Sequence, residues 1–429
     1  MNKSGHPDSL GPITEGVPKR LRRSKDISTS KASTRGKPTP SKEFAFDLKP
    51  IDIARHLNRF VIGQQEAKKV LSVALCDHFQ HVKMTHEGNA APFYQKQNVL
   101  ILGPTGVGKT HLIRSAADLI GVPFVKADAT KFSETGYVGG DVDDLVRDLI
   151  RRAGGDIKRA EHGIIYLDEV DKLACGASES GGRDVSGRGV QTNLLKLMED
   201  GDVPVVSPND VTGQLQNAMS AARGNTPGMP DTVSTKHILF IVSGAFVGIE
   251  NVTRDRLQAK SLSMEKCHSQ VSTADLIRFG LEPEFVGRLP VRVACHSLDE
   301  DDLFQVLSKS ESSLLRQYER AFAAYGIKLQ FQPEALRCLA GLAKAEQTGA
   351  RGLMTVLERC FRDLKFRLPS TKIKSPERPA LCLTEAMRER LCTASPTLSA
   401  CTQVKRPPAH MRRGKGTGGK NPPRRAWPS

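Results

Sequence analysis

The sequence predicts an α/β domain, a parallel sheet between helices, followed by a smaller, mostly helical domain. Three observations carry this. Between residues 98 and 242, short apolar runs alternate with segments of helical spacing. Strand–helix alternation of that kind builds a parallel sheet covered on both faces. One run ends in a glycine-rich turn that opens a helix, and after Asp299 the pattern becomes helical.

Residues 98–103 (NVLILG) read as a buried strand running into the turn, and 109–120 have helical spacing. Residues 124–127 form a second short strand. Over 141–152, Val142, Leu145, Val146 and Leu149 share a helical face, behind an acidic first turn that suits the helix dipole. Residues 163–167 are a buried strand, 189–199 a helix and 236–242 a strand, with 327–331 the main strand candidate beyond Asp299. No internal repeat is visible.

At about 100–200 residues per domain, 429 residues hold two to four domains. The expected division is a basic tail over 1–47, a large domain over 48–298, a small helical domain over 299–393 and a second basic tail over 394–429. The first tail is rich in Ser, Thr, Pro, Lys and Arg and reads as disordered. It is either an organellar transit peptide or an ordinary floppy tail. The apolar run 238–249 is broken by Ser243, Gly244 and Gly248. It is too short to span a bilayer, and no longer run exists, so no membrane partner is expected.

The net charge of +16 resembles a nucleic-acid signal, but its distribution argues otherwise. Residues 1–43 hold 10 Lys and Arg against 4 acids, and 402–429 hold 8 with no acid, so the tails carry nearly all of the excess. A nucleic-acid partner is therefore not expected for the core. The 9 cysteines are widely spaced with no CxxC pair, which disfavours disulfides and zinc ribbons and fits a reducing compartment. Cys76, His78 and His81 lie close together on an expected helix. A polar helix face accounts for them better than a metal site, and no zinc site is expected.

Gly103-Pro104-Thr105-Gly106-Val107-Gly108-Lys109-Thr110 fits G-x-x-x-x-G-K-[ST]. The glycines let backbone N–H groups curl around phosphates, Lys109 reaches the β- and γ-phosphates, and Thr110 offers a hydroxyl to Mg²⁺. The preceding strand and following helix are the context this motif requires. Ile164-Ile165-Tyr166-Leu167-Asp168-Glu169 ends a buried strand in two carboxylates. Asp168 can hold Mg²⁺, and Glu169 can polarise the water that attacks the γ-phosphate. The cofactors expected are ATP and Mg²⁺. No Asn-Lys-x-Asp pattern is present to read guanine.

Further segments carry a family resemblance. They are Val61-Ile62-Gly63-Gln64, Ala127-Asp128-Ala129-Thr130, Gly136-Tyr137-Val138-Gly139 and Arg183-Asp184-Val185-Ser186-Gly187. Two more are Glu284-Phe285-Val286-Gly287-Arg288-Leu289-Pro290 and Thr348-Gly349-Ala350-Arg351-Gly352-Leu353. Their order resembles the ClpX family of AAA+ ATPases, over residues from about 48 to about 370. The resemblance implies an ATP-hydrolysing homo-hexameric ring that threads and unfolds protein substrates. It places Val61 and Ile62 at the adenine pocket. Arg288 is implied as the arginine finger toward a neighbouring subunit, and Arg351 as the sensor arginine of the small domain. Tyr137 and Val138 form the implied pore loop, with 183–187 as a second.

The sequence also departs from that family. The cysteine pairs of its zinc-binding domain do not occur. No Gly-Phe tripeptide lies between Asn251 and Thr273, which argues against docking of a ClpP-type peptidase there. The basic pore-entrance loop is replaced by a nearly uncharged stretch over 208–235. Gly140 and Arg188 stand where the family has acids. Ser243 is the candidate for the first sensor position, in contact with the attacking water. The reading is a standalone unfoldase, with a peptidase-feeding subunit and then a nucleic-acid motor or loader as alternatives. A scaffold that has lost catalysis fits poorly with intact Lys109, Asp168, Glu169, Arg288 and Arg351. The expected compartment is the mitochondrial matrix in a eukaryote and the cytoplasm otherwise.

Overall fold

The computed structural model describes residues 46–89, 94–133, 140–174, 185–206, 232–258, 261–367 and 380–383. The chain divides into two units after Phe44, and the first lies outside the described residues. The second begins in packed structure, with Phe46 buried against Phe79 at 5.6 Å between ring centroids.

Two helices open it, α1 (Pro50–Phe60) and α2 (Gln65–His86). Then follow β1 (Val99–Leu102), α3 (Lys109–Ile120), β2 (Phe124–Asp128), α4 (Asp144–Arg152), α5 (Ile157–Ala160), β3 (Ile164–Asp168) and α6 (Val185–Met198). A small antiparallel pair, β4 (Asp202–Pro204) and β5 (Thr232–Ser234), precedes β6 (Leu239–Gly244). Four short helices come next, α7 (Ile249–Leu257), α8 (Met264–Ser269), α9 (Thr273–Phe279) and α10 (Pro283–Gly287), leading to β7 (Val291–Ala294).

The main sheet is parallel with strand order β2-β3-β6-β1-β7. β1 and β6 are buried along their whole length, as expected of central parallel strands that read as continuous apolar runs. Register aligns the carboxyl ends. Leu102 lies between Gly244 and Ala294, and Asp128 lies beside Asp168. The loops leaving that edge are where an open α/β sheet places its ligand.

Beyond β7 come α11 (Glu300–Ser308), α12 (Leu314–Ala323), β8 (Lys328–Phe331), α13 (Pro333–Ala345) and α14 (Ala350–Arg367). Asp299 caps α11, its side chain accepting from the Asp302 N–H in a reciprocal box. α13 packs on both α11 and α14. β8 finds a parallel partner in β9 (Ala380–Leu383).

Three boundaries differ from expectation, one being β6, which starts at Leu239 rather than 236. α4 starts at Asp144 because Asp141 closes a turn first, accepting the Asp143 N–H at 3.3 Å. α6 starts at Val185, so residues 185–187 of the expected second pore loop are its opening turn.

Candidate nucleotide site

The turn after β1 wraps the Lys109 ammonium, which donates to the carbonyls of Gly103 (2.5 Å) and Pro104 (3.0 Å). Burial lowers the Lys109 pKa, while the Asp168 carboxylate works against that shift. Gly106 sits at φ +76°, and a Cβ there would lie 2.1 Å from the Thr348 carbonyl oxygen. Its own carbonyl accepts the Ala350 N–H at 2.8 Å. Gly349 makes the reciprocal approach at φ +59°, where a Cβ would stand 2.8 Å from the Gly106 oxygen. The phosphate loop and the start of α14 are thus clasped backbone to backbone.

β3 delivers Asp168 into a network. The Ser243 hydroxyl donates to Asp168 Oδ1 at 2.7 Å and accepts from the Tyr166 hydroxyl at 2.7 Å. On the other carboxylate oxygen, Oδ2, Lys126 Nζ pairs at 3.1 Å and Thr110 Oγ1 donates at 3.3 Å. Burial alone would raise the Asp168 pKa. The Ser243 hydroxyl and Lys126, with Lys109, outweigh it and hold the carboxyl below its ordinary range. Ser243 is fully buried, and its hydroxyl bridges Tyr166 and Asp168. Glu169 has φ +60°, a conformation rare for a side-chain-bearing residue. Such strain at the end of a central strand is a mark of functional positioning.

A cavity of about 670 Å³ opens above these groups, within the range of small-molecule sites (about 300–1,000 Å³). Val61 and Ile62 line one wall, residues 105–110 the floor, Asp168 and Glu169 one side and Arg351 another. Gly103 and Pro104 stand behind the floor and hold Lys109. The Val61 carbonyl is fixed by the buried Lys68 ammonium at 2.6 Å. Burial lowers the Lys68 pKa to about 8. The Arg351 charge bears on Lys109, so two cations face one space and favour a polyanion there.

Arg288 stands apart from the cavity. It pairs with Glu199 at 2.5 Å, and its carbonyl accepts from Asn98 at 3.1 Å. Tyr137 and Val138 lie outside the described residues, as do Arg183 and Asp184. The base of the tyrosine loop is closed by Gly140 N–H donating to the Lys131 carbonyl at 3.0 Å. Arg188 pairs with Glu282 at 2.5 Å.

The α2 cluster disperses. Cys76 contacts the Leu48 carbonyl, His78 the His237 carbonyl, and His81 stacks on Tyr94. Sequence reasoning missed three contributors to the site, the Lys126 ammonium, the Tyr166–Ser243 relay and the Gly349 clasp. A lysine inside the short strand 124–128 was the one available signal.

A model of the AAA domain of the Cdc48 subfamily matches residues 94–292, and one of the C-terminal, D2-small domain of ClpB matches 298–369. The ATP-dependent Clp protease ATP-binding subunit ClpX of Borrelia duttonii (strain Ly) is 39% identical over 358 residues, covering 81% of this chain and 78% of its own. The chain belongs to the ClpX family of AAA+ ATPases. The ClpX of Borrelia recurrentis (strain A1) gives the same figures. The ClpX 3 of Methylococcus capsulatus (strain ATCC 33009 / NCIMB 11132 / Bath) is 39% identical over 346 residues, 75% of this chain and 77% of its own. As a ClpX-type AAA+ ATPase the chain hydrolyses ATP and couples it to protein unfolding.

Thr110 and Asp168 fit a divalent cation. Their oxygens converge within 3.3 Å, and a cationic nitrogen, Lys126 Nζ, already lies against both.

Proposed function

We propose that this ClpX-type ATPase works as a homo-hexameric ring that threads and remodels protein substrates without a ClpP-type peptidase docked at 251–273. The observation that carries the reading is the convergence of Lys109, Asp168, Glu169 and Arg351 on one cavity. Lys109 binds the β- and γ-phosphates, Glu169 polarises the attacking water, and Thr110 and Asp168 hold Mg²⁺. That ion, when bound, screens charge on the phosphates.

Arg351, at the start of α14, senses the phosphate and moves the small helical domain, whose boundary we place near 298/299. Arg288 serves as the finger for a neighbouring subunit. Its position outside its own chain's cavity and its exposed pairing with Glu199 are what support this. An exposed ion pair of this kind is weak, so it can exchange partners. Tyr137 and Val138 grip substrate in the pore. The described residues between 251 and 273 are largely taken up by α7 and α8. No described helix is long and apolar enough to cross a membrane. The compartment proposed is the mitochondrial matrix in a eukaryotic cell and the cytoplasm in a bacterium.

The test is ATP-dependent loss of fluorescence from a tagged, stably folded reporter, with wild type, Glu169→Gln and Tyr137→Ala, each with and without a ClpP-type peptidase. Unfolding without peptide release, abolished in both variants, is expected. Peptide release on adding peptidase would overturn the standalone reading. Turnover stimulated by nucleic acid, with no reporter unfolded, would bring the nucleic-acid motor forward.

A further inference from the structure

Lys126 belongs to no motif, yet it touches both residues assigned to the metal. Its nitrogen lies 3.1 Å from Asp168 Oδ2 and 3.2 Å from Thr110 Oγ1. The sheet register explains why. Lys126 on β2 is directly paired with Tyr166 on β3, so the two side chains rise from the same face, and the ammonium lies 5.9 Å from the Tyr166 ring centroid. Asp168 follows Tyr166 by one pleat on that face, so a lysine at 126 reaches up to it. In this structure the Lys109 ammonium is instead held by the Gly103 and Pro104 carbonyls, so Lys126 is the cation in direct contact with Asp168.

The Lys126 side chain is 36% exposed and that of Asp168 18%. A long side chain at that exposure can swing away without breaking the core.

We propose that Lys126 is a resident counter-cation that competes with the divalent metal for the Thr110–Asp168 pair, standing in for it when the nucleotide arrives metal-free and yielding to it when the metal is present. This rests on the reading that Thr110 and Asp168 hold the metal. The consequence is a nucleotide affinity that depends on metal less than an isolated Thr–Asp pair would dictate. Without metal, the ammonium neutralises Asp168, which lines the cavity. With metal, it must be displaced.

The test measures the affinity of fluorescently labelled ADP by fluorescence titration, once in EDTA and once in excess Mg²⁺. The quantity read is the ratio of the two dissociation constants. Removing a partly exposed ammonium at this distance is expected to raise that ratio, the dissociation constant in EDTA over that in Mg²⁺, about two- to five-fold in Lys126→Met. Lys126→Arg, which keeps the charge, should remain near wild type. Lys126→Gln repeats the neutral substitution should the methionine variant fold poorly. A ratio in both neutral variants within about two-fold of wild type would overturn the proposal. Asp168→Asn separates the two layers. If Asp168 holds the metal, its ratio falls toward one. If Asp168→Asn leaves the ratio unchanged, the metal lies elsewhere and both readings fall together.

Discussion

Gly106→Ala tests the clasp between the phosphate loop and α14. At φ +76° an alanine costs about 1–2 kcal/mol from its own backbone conformation. The added Cβ would also lie 2.1 Å from the Thr348 oxygen, where ordinary contact begins at 3.4 Å. The loop and the 348–350 turn must therefore part by more than an ångström. That loses the 2.8 Å bond from Ala350 N–H to the Gly106 carbonyl, worth about 1 kcal/mol net. Relieving overlap between close-packed segments costs about 1–3 kcal/mol more. The sum is about 3–6 kcal/mol, shared between folding stability and the closed arrangement. Gly121 supplies the control. It has φ +81° with nothing within 4 Å of its would-be Cβ, so Gly121→Ala carries the backbone cost alone. Urea denaturation of both variants, with ADP titration of each, isolates the steric part. Equal stability losses and unchanged ADP affinity would show that the clasp contributes nothing.

Ser243→Ala removes the hydroxyl that orients Asp168 and leaves Tyr166 without its 2.7 Å acceptor. A hydrogen bond to a charged group is worth about 1.5–3 kcal/mol, so urea denaturation at pH 7 should show a loss of that order, and no loss would refute the relay. Acid stability tests the histidines just before β3 and β6 and on α2. Burial lowers His162 and His237 to about 4 and His78 to about 3, so they fold neutral. The unfolded chain takes up their protons near pH 6.5, so their contribution is complete above that pH and is lost as pH falls toward 4. His162 alone contributes about 3 kcal/mol by this linkage. The urea midpoint should drop between pH 7 and pH 5, less steeply in His162→Gln, and a flat profile would refute it.

The sheet and its floor were legible because they rest on local chemistry. A continuous apolar run, a glycine-rich turn and a strand ending in two acids each state their role within about ten residues. α1 and α2 went largely unread because they pack on elements far along the chain, α1 on α3 and α2 on β7. β7 is four residues behind a proline and becomes a strand only through pairing with β1. The roles of Lys126 and Ser243 depend on register between β2, β3 and β6, which no single segment encodes. The Gly106–Gly349 clasp joins two turns through main-chain atoms, and glycine patterns alone do not say which turns meet.

The strand order has a consequence for the nascent chain. β1 is made early, yet both of its neighbours, β6 and β7, come late. The ribosome must add roughly 190 further residues after Leu102 before β7 is complete, and at about 5–20 residues per second that takes about 10–40 s. Until Gly244 completes β6, Val99–Leu102, wholly apolar, has neither native edge partner, and one edge stays open until β7 is made. An ATPase that unfolds other proteins thus exposes an unpaired apolar strand during its own synthesis, and translation pauses before Ala294 would lengthen that exposure.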